Sequence, residues 1–160
     1  MERQLLVKEA ETEYHQGEVI QWVGFYVGQE KFGVNVLHVQ EIIRMNEITP
    51  VPGAPHYILG VINLRGNVVP ILSTRACFNM DIVEATATTR IILIDMDKQV
   101  VGVVVDAVAE VVSLSQDMIE KAPVVESQHM AEFIYGVARR DDDLLILLDA
   151  HKFLVSVDWR

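Results

Sequence analysis

The chain has one cysteine, Cys77, so it cannot close an internal disulfide and needs no oxidising compartment. Cys77 stands in an apolar segment and reads as an inert core thiol. No apolar run approaches the roughly 18 residues of a membrane-spanning helix, which speaks against direct membrane insertion. Glu2, Arg3, Lys8 and Glu9 surround a short Leu5-Leu6-Val7 run, a pattern unlike a secretory leader. The expected location is the cytoplasm. Positive charge is scarce: 13 Lys and Arg against 23 Asp and Glu leave a formal net charge of −10. Such a surface repels phosphate, which argues against nucleic acid and against an anionic membrane surface as partners.

Catalytic and ligand-binding patterns are missing as well. His15, His38, His56, His129 and His151 form no H-x-x-x-H pair, and none stands at a metal-ligand spacing from Cys77. Neither a metal nor a cofactor is expected. Ser73, Ser113, Ser115, Ser127 and Ser156 lack the G-x-S-x-G elbow of a nucleophile. Gly24, Gly28 and Gly33 are spaced like turns of a β-meander, not like a phosphate loop. The run Asp141 to Asp143 reads as a solvated turn rather than a cation site. These absences describe a binding module and not an enzyme.

Apolar residues are plentiful, at 51% of 160 residues, enough for a core in one ordinary domain or two small ones. One pattern occurs twice. Gly33-Val34-Asn35-Val36-Leu37-His38-Val39-Gln40-Glu41-Ile42-Ile43 is matched by Gly102-Val103-Val104-Val105-Asp106-Ala107-Val108-Ala109-Glu110-Val111-Val112. Two copies are too few for a solenoid and point to a small unit built twice.

Residues 1–17 read as a polar tail. Subdomain 1 is expected over about 18–85 and subdomain 2 over about 86–155, with exchange of elements between them left open and a short tail over 156–160. Val19 to Val27 is a strand rich in β-branched and aromatic residues. Gly28 to Lys31 is a turn, and Phe32 to Val36 returns with Phe32, Val34 and Val36 on one face. The apolar step then lengthens over Val36, Val39, Ile42 and Ile43, which predicts a helical turn or two. Three prolines between Pro50 and Pro55 force an extended connector. His56 to Leu59 reads as one helical turn. Gly60 to Leu72 is a hairpin with Arg65-Gly66-Asn67 at its tip.

The plan repeats: a strand over Arg90 to Met96, a turn at Asp97 to Gln99 and a strand over Val100 to Val105. The Val108 to Val112 transition follows, then a hairpin around Asp141 to Asp143 and a terminal helical turn at Ala150 to Leu154. Short strands at even spacing predict an all-β chain of two five-stranded barrels with a few helical turns.

Four stretches resemble the CheW family of bacterial chemotaxis coupling proteins, across roughly residues 19–155. They are Phe32 to Arg44, Ile48 to Ile58, Gly60-Val61-Ile62-Asn63-Leu64-Arg65-Gly66 with Val68-Val69-Pro70-Ile71, and Val100 to Asp106. The third is the most specific. The resemblance implies two five-stranded barrels like the Src homology 3 fold around a shared hydrophobic core. It implies a non-enzymatic scaffold that links the chemoreceptor tip to the histidine kinase CheA, in rings with other CheW-like domains. The protein would then sit at the inner face of the membrane through receptor arrays.

The same resemblance puts a receptor site on Val39, Glu41 and Arg65, with Val36, Ile42 and Leu64 around them. Val39 is the candidate apolar anchor, with plain core as its other reading. Glu41 and Arg65 are expected to pair near the groove. Glu110, at the equivalent place in the second copy, hints that both glutamates are structural. Kinase-contact residues are not assigned, although apolar tips such as Val27 or Ile94 fit a contact at barrel ends. The family's Asp-Leu-Arg run is here Ser73-Thr74-Arg75, which takes the usual carboxylate from beside Arg75. An adaptor of a pilus-type or other non-flagellar system is the alternative within the family. A small β-barrel ligand-binding protein or enzyme is the alternative outside it.

Overall fold

The structure is a computed structural model that describes residues 18–121, 133–140 and 142–156. The two tails, His15, His129 and Asp141 lie outside the described residues. Strand β1 (Val19–Val27) turns at Gly28, φ +63°, into β2 (Glu30–Asn35). A 3-10 turn over Val36–His38 follows, its start held by the Asn35 carboxamide oxygen, which accepts from the Leu37 N–H at 2.9 Å. Then come β3 (Val39–Arg44), β4 (Ile58–Leu64), β5 (Asn67–Ser73) and a single helical turn, α1 (Thr74–Cys77). The second half gives β6 (Arg90–Asp95), β7 (Val100–Val105), β8 (Ala107–Ser115), a 3-10 turn (Gln116–Met118) and the short β9 (Ile119–Glu120). It ends with β10 (Ile134–Arg140), β11 (Asp143–Leu148) and α2 (Ala150–Ser156). No helix among the described residues is long and apolar enough to cross a membrane.

The fold is mainly β, as the residue patterns predict, but its sheets differ from two five-stranded barrels. One sheet has six strands in the order β8-β1-β2-β11-β10-β9, and the other has five in the order β3-β6-β7-β5-β4. In neither do the two edge strands pair with each other, so neither is a closed barrel. Each sheet is built around one hairpin. β1–β2 takes β8 on one side and β11, in parallel, on the other; β6–β7 takes β3 and, in parallel, β5. Every one of these flanking strands comes from the opposite half of the chain. The repeat is thus a repeat of topology: Gly33 and Gly102 both sit in the inner strand that meets the parallel neighbour.

Burial explains the apolar runs. Ile20 and Trp22 of β1 join Val112, Leu114, Leu145 and Leu147 in a small core on one face of the six-stranded sheet. Val23, Phe25 and Val27, of the opposite parity, face the main core. The other sheet does the same: Ile91 and Leu93 join Ile62, Val69 and Ile71, while Ile92 and Ile94 face the main core. That main core lies between the sheets, and Ala150, Phe153 and Leu154 of α2 complete it. Strands buried on both faces read as continuous hydrophobic runs.

Several local expectations are corrected. The turn after Val36 is one 3-10 turn and the chain then re-enters a strand, β3. In the second copy the Val108 to Val112 segment has no helical turn at all, because it lies within β8. Around His56 the chain closes one turn, the Ile58 N–H donating to the Pro55 carbonyl at 3.0 Å, and β4 starts at Ile58. Val27 and Ile94 are buried in the main core, so they are not exposed tips.

Arg75 does not lose its carboxylate. Asp106, in the β7–β8 corner, receives its Nη2–H at 2.7 Å and its Nε–H at 2.9 Å. The same carboxylate accepts the Gly28 N–H at 2.7 Å, so it fastens α1 to the β1–β2 turn. Ser73 serves α1 instead, its hydroxyl accepting the Ala76 N–H at 3.1 Å as the helix cap.

Candidate functional site

The β4–β5 hairpin closes through two residues, Arg65 at φ +50° and Gly66 at φ +87°. Positive φ at both central positions is the hairpin turn that matches the twist of its strands. The Asn63 carboxamide steadies it by accepting the Gly66 N–H at 3.0 Å. Arginine is an unusual occupant there, since a Cβ strains the left-handed region that glycine and asparagine tolerate.

From this tip Arg65 reaches the opposite edge of its own sheet. Its Nη2–H donates to Glu41 Oε1 of β3 at 2.5 Å. β3 and β4 are the two edges of the five-stranded sheet and share no ladder. The ion pair joins β3 to the tip beyond β4, and the connector after β3 meets β4 in the Thr49–Val61 bridge, whose two N–H···O bonds are each 2.9 Å. The pair is wet, with 65% of the Arg65 side chain and 36% of the Glu41 side chain exposed. The carboxylate, by its hydrogen bond and then its charge, raises the guanidinium above its ordinary value. Arg65 therefore stays a cation whose remaining donors face solvent.

Beside the pair lies a cleft of about 520 Å³ between two hairpin tips. Leu64, Arg65 and Val68 line it from the β4–β5 hairpin, Asp95 from the end of β6 and Asp97 and Lys98 from the turn after it, and Gln40 from β3. Of the residues singled out from sequence, Glu41, Leu64 and Arg65 are brought together here. Val36 and Val39 are not: both are half-buried and pack against the main core. Val39 pairs with Ile94 on β6, and a bulge between Val39 and Glu41 separates its direction from that of the ion pair. Ile42 is exposed on β3. Two exposed apolar residues escaped the sequence reading: Leu37, in the 3-10 turn, and Val68, which at 69% is the most exposed large apolar side chain of the described residues. No pattern marks them: Val68 is a β-branched residue like its buried strand neighbours, and Leu37 lies in a turn with no period to place it.

The second copy of the repeat is a useful control. Glu110, equivalent to Glu41, also binds a cation, Lys31 Nζ at 2.7 Å. The lysine crosses β1 over Gly24, where a Cβ would lie 3.5 Å from Lys31 Cε. Only 13% of the Lys31 side chain is exposed. That pair staples three strands, whereas Arg65 projects from a turn over a cleft. Among the described residues no group of three or more His, Cys, Asp and Glu is placed to hold a metal. Burial pushes the Cys77 thiol up to about 12, which leaves almost no thiolate at neutral pH.

Comparison with known proteins adds a second line of observation. The family model for the CheW-like domain matches residues 21–158. The chemotaxis protein CheW of Treponema pallidum is 32% identical over 145 residues, covering 87% of this chain and 84% of the relative. That of Rhizobium meliloti is 37% identical over 127 residues, with 79% and 82% covered. The solved structure of the scaffolding protein TtCheW from Thermoanaerobacter tengcongensis superposes with a TM-score of 0.79 at 30% identity, covering 89% of this chain and 97% of that one.

Proposed function

We propose, since this chain belongs to the CheW family, that it is a non-enzymatic scaffold coupling methyl-accepting chemoreceptors to the histidine kinase CheA in a bacterial chemotaxis array. The observation that carries the reading is the family match over residues 21–158, which spans both sheets. The geometry of the Arg65 tip supports it: a strained, wet arginine beside a cleft is poorly explained by stability alone. An enzyme or small-ligand protein is not favoured by the family. The protein would sit at the inner face of the membrane because its receptors hold it there.

A receptor tip offers helices, so the contact would place a helix in a groove, with apolar anchors and a few polar locks. Arg65 would offer its fork to carboxylates or carbonyls of that helix, with Glu41 holding the fork in direction. Leu64 beside the cleft and exposed Ile42 on β3 would supply apolar contact, with Val39 and Val36 joining through the parts of them that the main core leaves uncovered. Fully burying a valine contributes roughly 1.5–3 kcal/mol, and less here because Val39 is already half-buried.

Sedimentation of a ternary mixture tests this. The protein is mixed with a receptor cytoplasmic fragment and CheA from the same cell. Wild type is expected to co-sediment with both. Arg65→Ala is expected to leave the receptor fraction while melting within about 2 °C of wild type, as an exposed pair holds little stability. A wild-type protein that joins neither partner overturns the coupling role. An Arg65→Ala protein that binds normally removes Arg65 from the site.

A further inference from the structure

His38 and His151 face each other across the edge of the main core. Their ring centroids are 4.9 Å apart and the planes are inclined by 56°. His38 closes the 3-10 turn that leads into β3, and only 7% of it is exposed. His151 is in the first turn of α2, between Ala150 and the Phe153–Leu154 pair that packs into the core. The two imidazoles therefore join the start of β3 to the helix that completes the core. We propose that the packing of His38 against His151 is a proton-operated latch, shut while His38 is neutral and released when it takes up a proton.

The argument is electrostatic. Two rings at this distance pack well as neutral, amphipathic discs, but a proton on His38 puts a charge in a poorly hydrated place. Burial, and then the neighbouring His151, hold His38 below the usual histidine value. Asp149, ahead of α2, and Asp95 and Asp97, at the β6–β7 corner, pull the other way and do not reverse the balance. Asp149 is already engaged, since its carboxylate accepts the Lys152 N–H at 3.1 Å and its carbonyl accepts the Phe153 N–H at 2.9 Å.

The sign follows. A histidine that resists its proton when folded contributes stability above the ordinary value of about 6.5, and loses it as pH falls below that value towards the folded one. Each unit of depression is a tenfold preference for the neutral state. α2 is a helix of seven residues, short beside the ladders of the two sheets, so it gives way before them. Its release would also free the 3-10 turn on which Val39 is mounted. That consequence rests on the function proposed above; the latch itself does not.

Amide hydrogen exchange on the full-length protein tests the latch without any partner. After correction for the intrinsic pH dependence of exchange, protection of the Phe153 amide is expected to fall from pH 7.5 to pH 5.5, by up to about tenfold, the limit for one histidine whose unfolded value is about 6.5. The central β6–β7 amides should hold their protection. In His38→Gln the α2 amides should lose most of this pH dependence. If His38→Gln proves unstable, side-chain NMR titration of the wild type decides: His38 titrating at or above the ordinary histidine value overturns the latch. So does α2 protection that is flat with pH, or equally steep in wild type and His38→Gln. Receptor sedimentation at both pH values then reads the coupling separately. Loss of binding at both speaks to the function, not to the latch.

Discussion

Arg65 sits in a left-handed turn position where asparagine is less strained. If function and not stability keeps arginine there, Arg65→Asn should melt at or above the wild-type temperature and still fail in receptor sedimentation. A drop of several degrees would move Arg65 to a structural role. Asp106 gives the opposite case. Arg75 holds its carboxyl below the ordinary range, the Gly28 N–H assists, and burial opposes them. The contribution is whole above the ordinary carboxylate value of about 4 and is lost as pH falls through the lower, folded value. Asp106→Asn should cost about 1–2 kcal/mol at pH 7 in urea titrations, at the low end for charged hydrogen bonds because the pair is partly wet. Its deficit against wild type should shrink below pH 4. A deficit that is constant with pH would mean that the substitution disturbs the shape of the corner and not its charge. Arg75 also marks where reading by residue fails. Its neighbour in sequence is gone, and its partner comes from 31 positions further on, which only the folded corner reveals.

At the scale of elements, β1, β5, β6, β7 and the Arg65 hairpin tip were legible because apolar runs and Gly or Asn punctuation mark them directly. The stretch after Val36 was not. A 3-10 turn followed by the bulge between Val39 and Glu41 shifts the strand parity, and the result imitates a helical spacing of three and four. Glycines at close approaches were marked as turns or repeats without their reason. At Gly102 a Cβ would stand 2.5 Å from Ile71 Cδ1, a flexible side-chain end, and 2.8 Å from Ile91 Cγ2, a methyl on a stiffer β-branched carbon. At Gly60, φ +146°, it would stand 2.1 Å from the Thr49 carbonyl oxygen, which is backbone. Gly102→Ala should therefore cost roughly 1–3 kcal/mol of overpacking. Gly60→Ala should cost more, since the Thr49–Val61 bridge and the left-handed backbone both resist it. Thermal melts of the two variants check the order. The reverse order would mean that the sheet edges are not held by that bridge.

For the whole molecule, the two-copy pattern reads most naturally as two units side by side, and the strand order changes what that means. β3, β4 and β5 depend on β6 and β7 for the centre of their sheet, while β8, β10 and β11 depend on β1 and β2. Local patterns carry strand identity but not strand pairing, so the exchange was not visible in the residues. The main core then draws on both sheets and on α2, so the halves should fold only together. Cutting the chain between Val83 and Glu84, both exposed in the connector from α1 to β6, tests this. Residues 1–83 keep two hairpins and lack β6 and β7; residues 84–160 keep the rest and lack β1 and β2. Isolated hairpins are marginal in water, so each fragment alone should show little sheet signal and no cooperative melt. Mixed in equal amounts they should regain both, because pairing across the cut restores each central ladder. The intact chain should unfold in a single transition by circular dichroism and by tryptophan fluorescence, Trp22 being buried in the six-stranded sheet. A cooperative melt from residues 1–83 alone would instead make each half a domain. The Glu41–Arg65 tie would then hold within one half and owe nothing to β6 and β7.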